Sequence, residues 1–182
     1  MRILKETYLS RRFFLILMLG IFAFVMAYVF PLLFIWVAGA LLVVLLLLFV
    51  ELFELYRRVN GIDASRVVAD KLSNGEENPV CLVLKNRYPE STCLRVIDEI
   101  PVEFQKRNVL FRLQMNAGEQ REIHYTLRPT KRGSYNFGKI RVFVSVRFGL
   151  VERRYSFCAD QDVAVYPSFM MMHRYELMAY GN

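Results

Sequence analysis

The chain has 182 residues, a formal charge of +7 and 55% hydrophobic side chains. That length suits about one soluble domain, but the 38 residues from Phe13 to Val50 carry no charged side chain, and only Gly20, Pro31 and Gly39 among them fall outside the hydrophobic class. Such a composition averages two materials, and it excludes a purely soluble protein, a disordered chain, a disulfide scaffold and a polytopic transporter.

A membrane-spanning helix needs about 20 apolar residues at about 1.5 Å of rise each. The apolar block is nearly twice that, so it predicts two transmembrane helices, about 12–29 and 32–55, in an N-terminal hairpin region 1–59. Pro31 supplies the break, because proline disfavours helical geometry in the residue before it. A cleaved signal peptide has an apolar core of only about 7–15 residues, so it fits less well. Arg2, Lys5, Arg11 and Arg12 precede the block, Arg57 and Arg58 follow it, and the turn is uncharged. The positive-inside rule then places both ends in the cytoplasm. Glu51 and Glu54 lie near the exit of the second helix. Gly20 and Gly39 are expected to let the helices approach closely, and Tyr8, Tyr28 and Tyr56 to sit at interfaces.

From Asn60 the texture changes to alternation. Leu82 and Leu84, Leu94 and Val96, and Val163 and Val165 form short inward pairs. Val109, Phe111 and Leu113 share a face, as do Ile123, Tyr125 and Leu127. Ile140, Val142, Val144 and Val146 make the longest run, with Phe143 an apolar exception on the polar face. Turn signals separate the runs, among them Asn74-Gly75, Asn116-Ala117-Gly118 and Phe148-Gly149. Short strands at this spacing predict an all-β soluble domain over 60–167, an immunoglobulin-like antiparallel β-sandwich. Residues 168–182 read as a short tail or the start of a further domain.

Sites of chemistry are sparse. Cys81, Cys93 and Cys158 are an odd count without paired spacing, which argues for free thiols, with Cys81 and Cys158 buried in strands. His124 falls on the polar face of its strand and His173 in the tail, neither within a recognisable motif. Asp98 and Glu99 are adjacent, as are Glu76 and Glu77, but neighbours in a strand point to opposite faces. No phosphate-binding loop, nucleophile elbow or zinc-helix motif is present. The sequence therefore predicts no enzyme and no catalytic, cofactor-binding or metal residues. The basic pairs Lys106-Arg107, Lys131-Arg132 and Arg153-Arg154 are dispersed, which predicts solvated faces and no nucleic acid partner.

One stretch is more distinctive. Arg132-Gly133-Ser134-Tyr135-Asn136-Phe137-Gly138 leads into a basic strand, then Phe148-Gly149-Leu150 and Val165-Tyr166-Pro167. With the preceding double apolar segment, this resembles the N-terminal half of the bacterial domain-of-unknown-function-58 family. In that family a membrane hairpin and β-sandwich precede a von Willebrand factor A-like domain. The family's proline before Phe-Gly-Leu is Arg147 here, and the sequence stops where the C-terminal domain would begin. Gly133 and Gly138 are expected to adopt positive φ, and Tyr135 and Phe137 to bury between sheets.

The resemblance implies a MoxR-type AAA+ ATPase as protein partner, in complex assembly or envelope maintenance. The sequence thus predicts a membrane-anchored interaction module whose sandwich lies on the cytoplasmic face of the inner membrane, with the lipid bilayer as its second partner. The alternatives are a non-catalytic subunit of a membrane enzyme or transport assembly, and an adhesion-type domain of opposite topology.

Overall fold

A computed structural model describes residues 6–104, 109–158 and 161–167. Lys106-Arg107, His173 and the 168–182 segment lie outside these. A short strand, β1 (Thr7–Leu9), precedes helix α1 (Arg11–Val29). Ser10 caps that helix: its backbone is extended and its hydroxyl accepts from the Phe13 N–H at 3.4 Å. α1 stops two residues short of Pro31, where the proline ring restricts Phe30. Pro31–Leu33 forms one 3-10 turn, and α2 (Phe34–Tyr56) follows. The break thus falls where the sequence places it. Both helices are long and apolar enough to cross a membrane.

The expected close approach at the glycines does not occur. A side chain added at Gly20 or Gly39 would meet nothing within 4 Å. The helices instead flank an apolar cleft of about 580 Å³, whose walls include Phe13, Phe24, Leu41 and Leu45. These bulky side chains set the helix spacing, and the glycines do not.

Ten strands follow the hairpin: β2 (Ile62–Val68), β3 (Lys71–Ser73), β4 (Asn78–Asn86), β5 (Thr92–Asp98), β6 (Val109–Met115), β7 (Gln120–Leu127), β8 (Gly133–Phe137), β9 (Ile140–Ser145), β10 (Val151–Phe157) and β11 (Gln161–Tyr166). They form a five-stranded sheet, β1-β10-β9-β5-β6, and two three-stranded sheets, β2-β4-β7 and β3-β11-β8. Every pairing is antiparallel except that of β3 with β11.

The five-stranded sheet and β2-β4-β7 enclose one core, in which Leu82, Leu84, Val96, Val142 and Val144 are completely buried. Each such side chain contributes about 1.5–3 kcal/mol on leaving water. Tyr135 and Phe137 bury as their shared parity predicts, in a second core with Leu72, Val163 and Phe104. The Phe104 ring centroid lies 4.9 Å from that of Tyr135 and 5.9 Å from that of Phe137. Phe143, the apolar exception on β9, is covered from outside by the edge of the Tyr8 ring and by the Arg95 guanidinium.

Gly133 has φ +145°, as expected, but Gly138 is not among the residues with positive φ. A Cβ there would lie 2.8 Å from both the Cβ and Oε2 of Glu99. Close approach of the β8–β9 connection to Glu99, just past β5, and not a left-handed turn, requires glycine at 138.

Candidate functional site at the joint of hairpin and sandwich

The last turns of α2 lie within the sandwich core. Leu55 is fully buried in the same cluster as Leu82 and Val142, with Leu48, Leu52 and Tyr56 packed against it. One turn earlier, Glu51 is also fully buried. Its carboxylate accepts the Gly149 N–H at 2.7 Å and the Leu150 N–H at 2.9 Å. Gly149 has φ +65°, which turns its N–H and the next toward one oxygen pair. The start of α1 holds the same turn: the Ser10 N–H donates to the Leu150 carbonyl at 2.9 Å, and Arg12 Nη1 donates to the Phe148 carbonyl at 3.1 Å. Both helices are therefore fastened to one corner of the sandwich.

Arg153 completes the joint from β10. Its Nη1 donates to the carbonyls of Leu55 and Arg58, both at 2.8 Å, and its Nη2 donates to that of Val59 at 3.2 Å. The Leu55 carbonyl is one that a helix C-terminus leaves unpaired, and those of Arg58 and Val59 belong to the chain just beyond it, where a cation is most favourable. The guanidinium lies between the rings of Tyr56 and Tyr155, 4.4 and 4.6 Å from their centroids. The Arg153-Arg154 pair is thus not a solvated face. Arg153 points inward on β10 and is buried, while Arg154 lies over the exposed Tyr8 ring.

Tyr88 braces the same helix end. Its hydroxyl donates to the Leu55 carbonyl at 3.0 Å and is linked to the Tyr155 hydroxyl at 2.7 Å. Burial first, and then the Tyr155 contact, push the Tyr88 phenol well above its ordinary pKa, so it stays a donor. The Thr7 and Tyr56 hydroxyls join β1 to α2 directly. What this arrangement does is mechanical: it fixes the direction of two apolar helices against a β-domain.

A second polar cluster lies inside the sandwich. Arg66 on β2 forms a buried ion pair with Asp98 on β5, and its Nη2 donates to the Gly138 carbonyl at 3.0 Å. The Tyr125 hydroxyl donates to the same carboxylate. Burial, with the Asp98 charge second, raises the Tyr125 phenol well above its ordinary pKa. Glu99 points outward, pairing with Arg141 and accepting the Lys139 N–H at 3.1 Å. The two adjacent carboxylates face opposite sides, as strand geometry predicts. Glu76 and Glu77 stand in the turn before β4.

All three cysteines are free: Cys93 is exposed, and Cys81 and Cys158 are half-buried, less than expected. Cys81 faces outward on β4, and Cys158 lies one residue past β10. Register brings together residues that sequence spacing keeps apart: Cys81 on β4 stands opposite His124 on β7, with Glu122 two residues along the same face. The Cys81 thiol is raised by burial and then by Glu122.

No protein-family model and no curated protein matches the chain. Among solved structures, the CARDB domain of a Pyrococcus furiosus protein in complex with di-metal ions is similar over 59% of this chain and 94% of its own, at 17% identity and a TM-score of 0.40. An ASH/PapD-like domain of human CEP192 gives 11% identity, 59% and 87% coverage and a TM-score of 0.39. The PKD domain of an M14-like peptidase from a Thermoplasmatales archaeon gives 10% identity, 58% and 93% coverage and a TM-score of 0.35. The chain itself is a mostly antiparallel β-domain built onto a pair of apolar N-terminal helices.

Proposed function

We propose that this chain is a non-enzymatic, membrane-anchored interaction module, in which a transmembrane hairpin holds an immunoglobulin-like sandwich at the cytoplasmic face of a bacterial inner membrane. One observation carries the reading: the hairpin is inserted between two strands of the sandwich, β1 and β2, so both helices leave the same corner of the domain. α1 has 19 residues, about 28 Å at about 1.5 Å each, close to a hydrocarbon core of about 30 Å. Arg57, Arg58 and Arg87 line a groove of about 480 Å³ just past the end of α2, where anionic headgroups attract basic side chains. Tyr28 and Trp36, both exposed, flank the far tip at the level of an aromatic belt.

By the family resemblance, the partner is a MoxR-type AAA+ ATPase, and the role is complex assembly or envelope maintenance. The edge strand β6, with Leu110 exposed, offers an open row of backbone groups for docking. Two measurements test the reading. In intact cells, a membrane-impermeant thiol reagent should leave the exposed Cys93 unlabelled until the cells are lysed, with Cys93→Ser as the control. Labelling of Cys93 before lysis would overturn the cytoplasmic orientation. The detergent-extracted full chain should co-purify with the ATPase, and recovery of a catalytic complex without it would favour the subunit alternative.

A further inference from the structure

We propose that Cys81, Glu122 and His124 form a binding site for a divalent transition-metal ion of zinc's class on the outer face of β2-β4-β7. The donor atoms of the three side chains all lie within 4.8 Å of one another. Cys81 Sγ is 4.0 Å from Glu122 Oε2, and His124 Nε2 is 3.5 Å from that same oxygen. In a tetrahedral zinc site, with bonds of about 2.0–2.3 Å, neighbouring donors are separated by about 3.3–3.6 Å. The His124–Glu122 spacing already lies in that range, and the Cys81–Glu122 spacing is a few tenths of an ångström beyond it.

The backbone supplies the order. Cys81 and His124 are direct cross-strand partners, and Glu122 shares their face. The set of one thiolate, one imidazole and one carboxylate selects a borderline ion of the zinc type over calcium or magnesium, which take oxygen donors. Three protein ligands leave a fourth position open, and the exposure of His124 and Glu122 puts that position in solvent for water or for a donor from a partner. Binding releases one proton: the Cys81 S–H bond breaks, the sulfur pair forms the bond to the metal, and the proton passes to solvent. Glu122 binds as the carboxylate and His124 as the neutral imidazole.

The test uses the full chain in detergent, stripped of metal with a chelator and titrated with cobalt(II) as a spectroscopic probe. One equivalent of cobalt should bring up a thiolate-to-cobalt charge-transfer band in the near ultraviolet, bleached by an equivalent of zinc. Cys81→Ser should abolish the band. His124→Ala should weaken binding about tenfold or more, and Cys93→Ser should leave the titration unchanged. Cys81 is half-buried and His124 and Cys93 are exposed, and an unchanged β-sheet circular dichroism spectrum shows that each variant is folded. A band that survives Cys81→Ser, a band lost with Cys93→Ser, or the absence of any band in the folded wild type would overturn the proposal.

Discussion

Glu51→Ala is expected to loosen the hairpin from the sandwich, at a cost of about 2–5 kcal/mol. The Leu150 amide loses its charged acceptor inside the protein, and an unsatisfied buried donor costs about 1–3 kcal/mol, whereas the Gly149 amide keeps the Val146 carbonyl at 2.9 Å. The methyl group of alanine also leaves space beside Leu55. Hydrogen exchange of the full chain in detergent is the direct readout. Exchange at Leu150 should accelerate at least tenfold, and at Gly149 less because the Val146 carbonyl still accepts its N–H, while Leu82 and Leu84, in the middle of β4, change far less. Glu51→Gln should fall between, because its amide keeps one oxygen for one of the two donors and turns an N–H toward the other. Unchanged protection at Leu150 in Glu51→Ala would mean that the joint holds without the Glu51 carboxylate.

Asp98→Ala should be more damaging still, by about 3–5 kcal/mol, since it leaves the Arg66 charge buried without its counterion. The Gly138 carbonyl remains as an acceptor for one nitrogen only. The double replacement Arg66→Met with Asp98→Leu should recover much of that loss, because apolar residues of similar volume often substitute for a buried pair at little cost. Tyr125→Phe removes the third member and should cost about 1.5–3 kcal/mol, as for a hydrogen bond to a charged group. Denaturant titrations followed by circular dichroism measure these differences. Tryptophan fluorescence would not serve, because the one tryptophan, Trp36, lies in the hairpin. If Asp98→Ala and the double variant unfold together, the ion pair is not what the sandwich depends on.

Much of the fold is legible in the sequence where apolar side chains point inward without interruption. The Pro31 break and the alternating runs of β4, β5, β7 and β9 are read directly. The joint is not, because its inward positions are charged. On β10 the inward-pointing side chain beside Val151 is Arg153, which breaks the alternation that would announce a strand. Likewise Arg66 and Asp98 look like surface charges until each is seen to neutralise the other. β1 is only three residues long and has no pattern to read. Glu51, one acid in an apolar helix, shows its position in the sequence but not its two amide partners, which lie almost a hundred residues further on. The same holds for Cys81 and His124. Alternation assigns each to an outward face, but β4 and β7 are not consecutive in the chain, so only their register makes them neighbours.

The position of β1 also has a consequence for biogenesis. Thr7 pairs with Arg153, so a strand made before the hairpin waits for one made after most of the β-domain. The two hydrophobic helices are synthesised in between and can enter the bilayer while β1 is still unpaired. Closing a loop this long costs only slightly more entropy than closing a short one, so the delay weighs on timing more than on final stability. On the proposed anchoring, membrane insertion comes before completion of the five-stranded sheet, and a sheet that closes over Leu9 marks a chain whose hairpin is already seated.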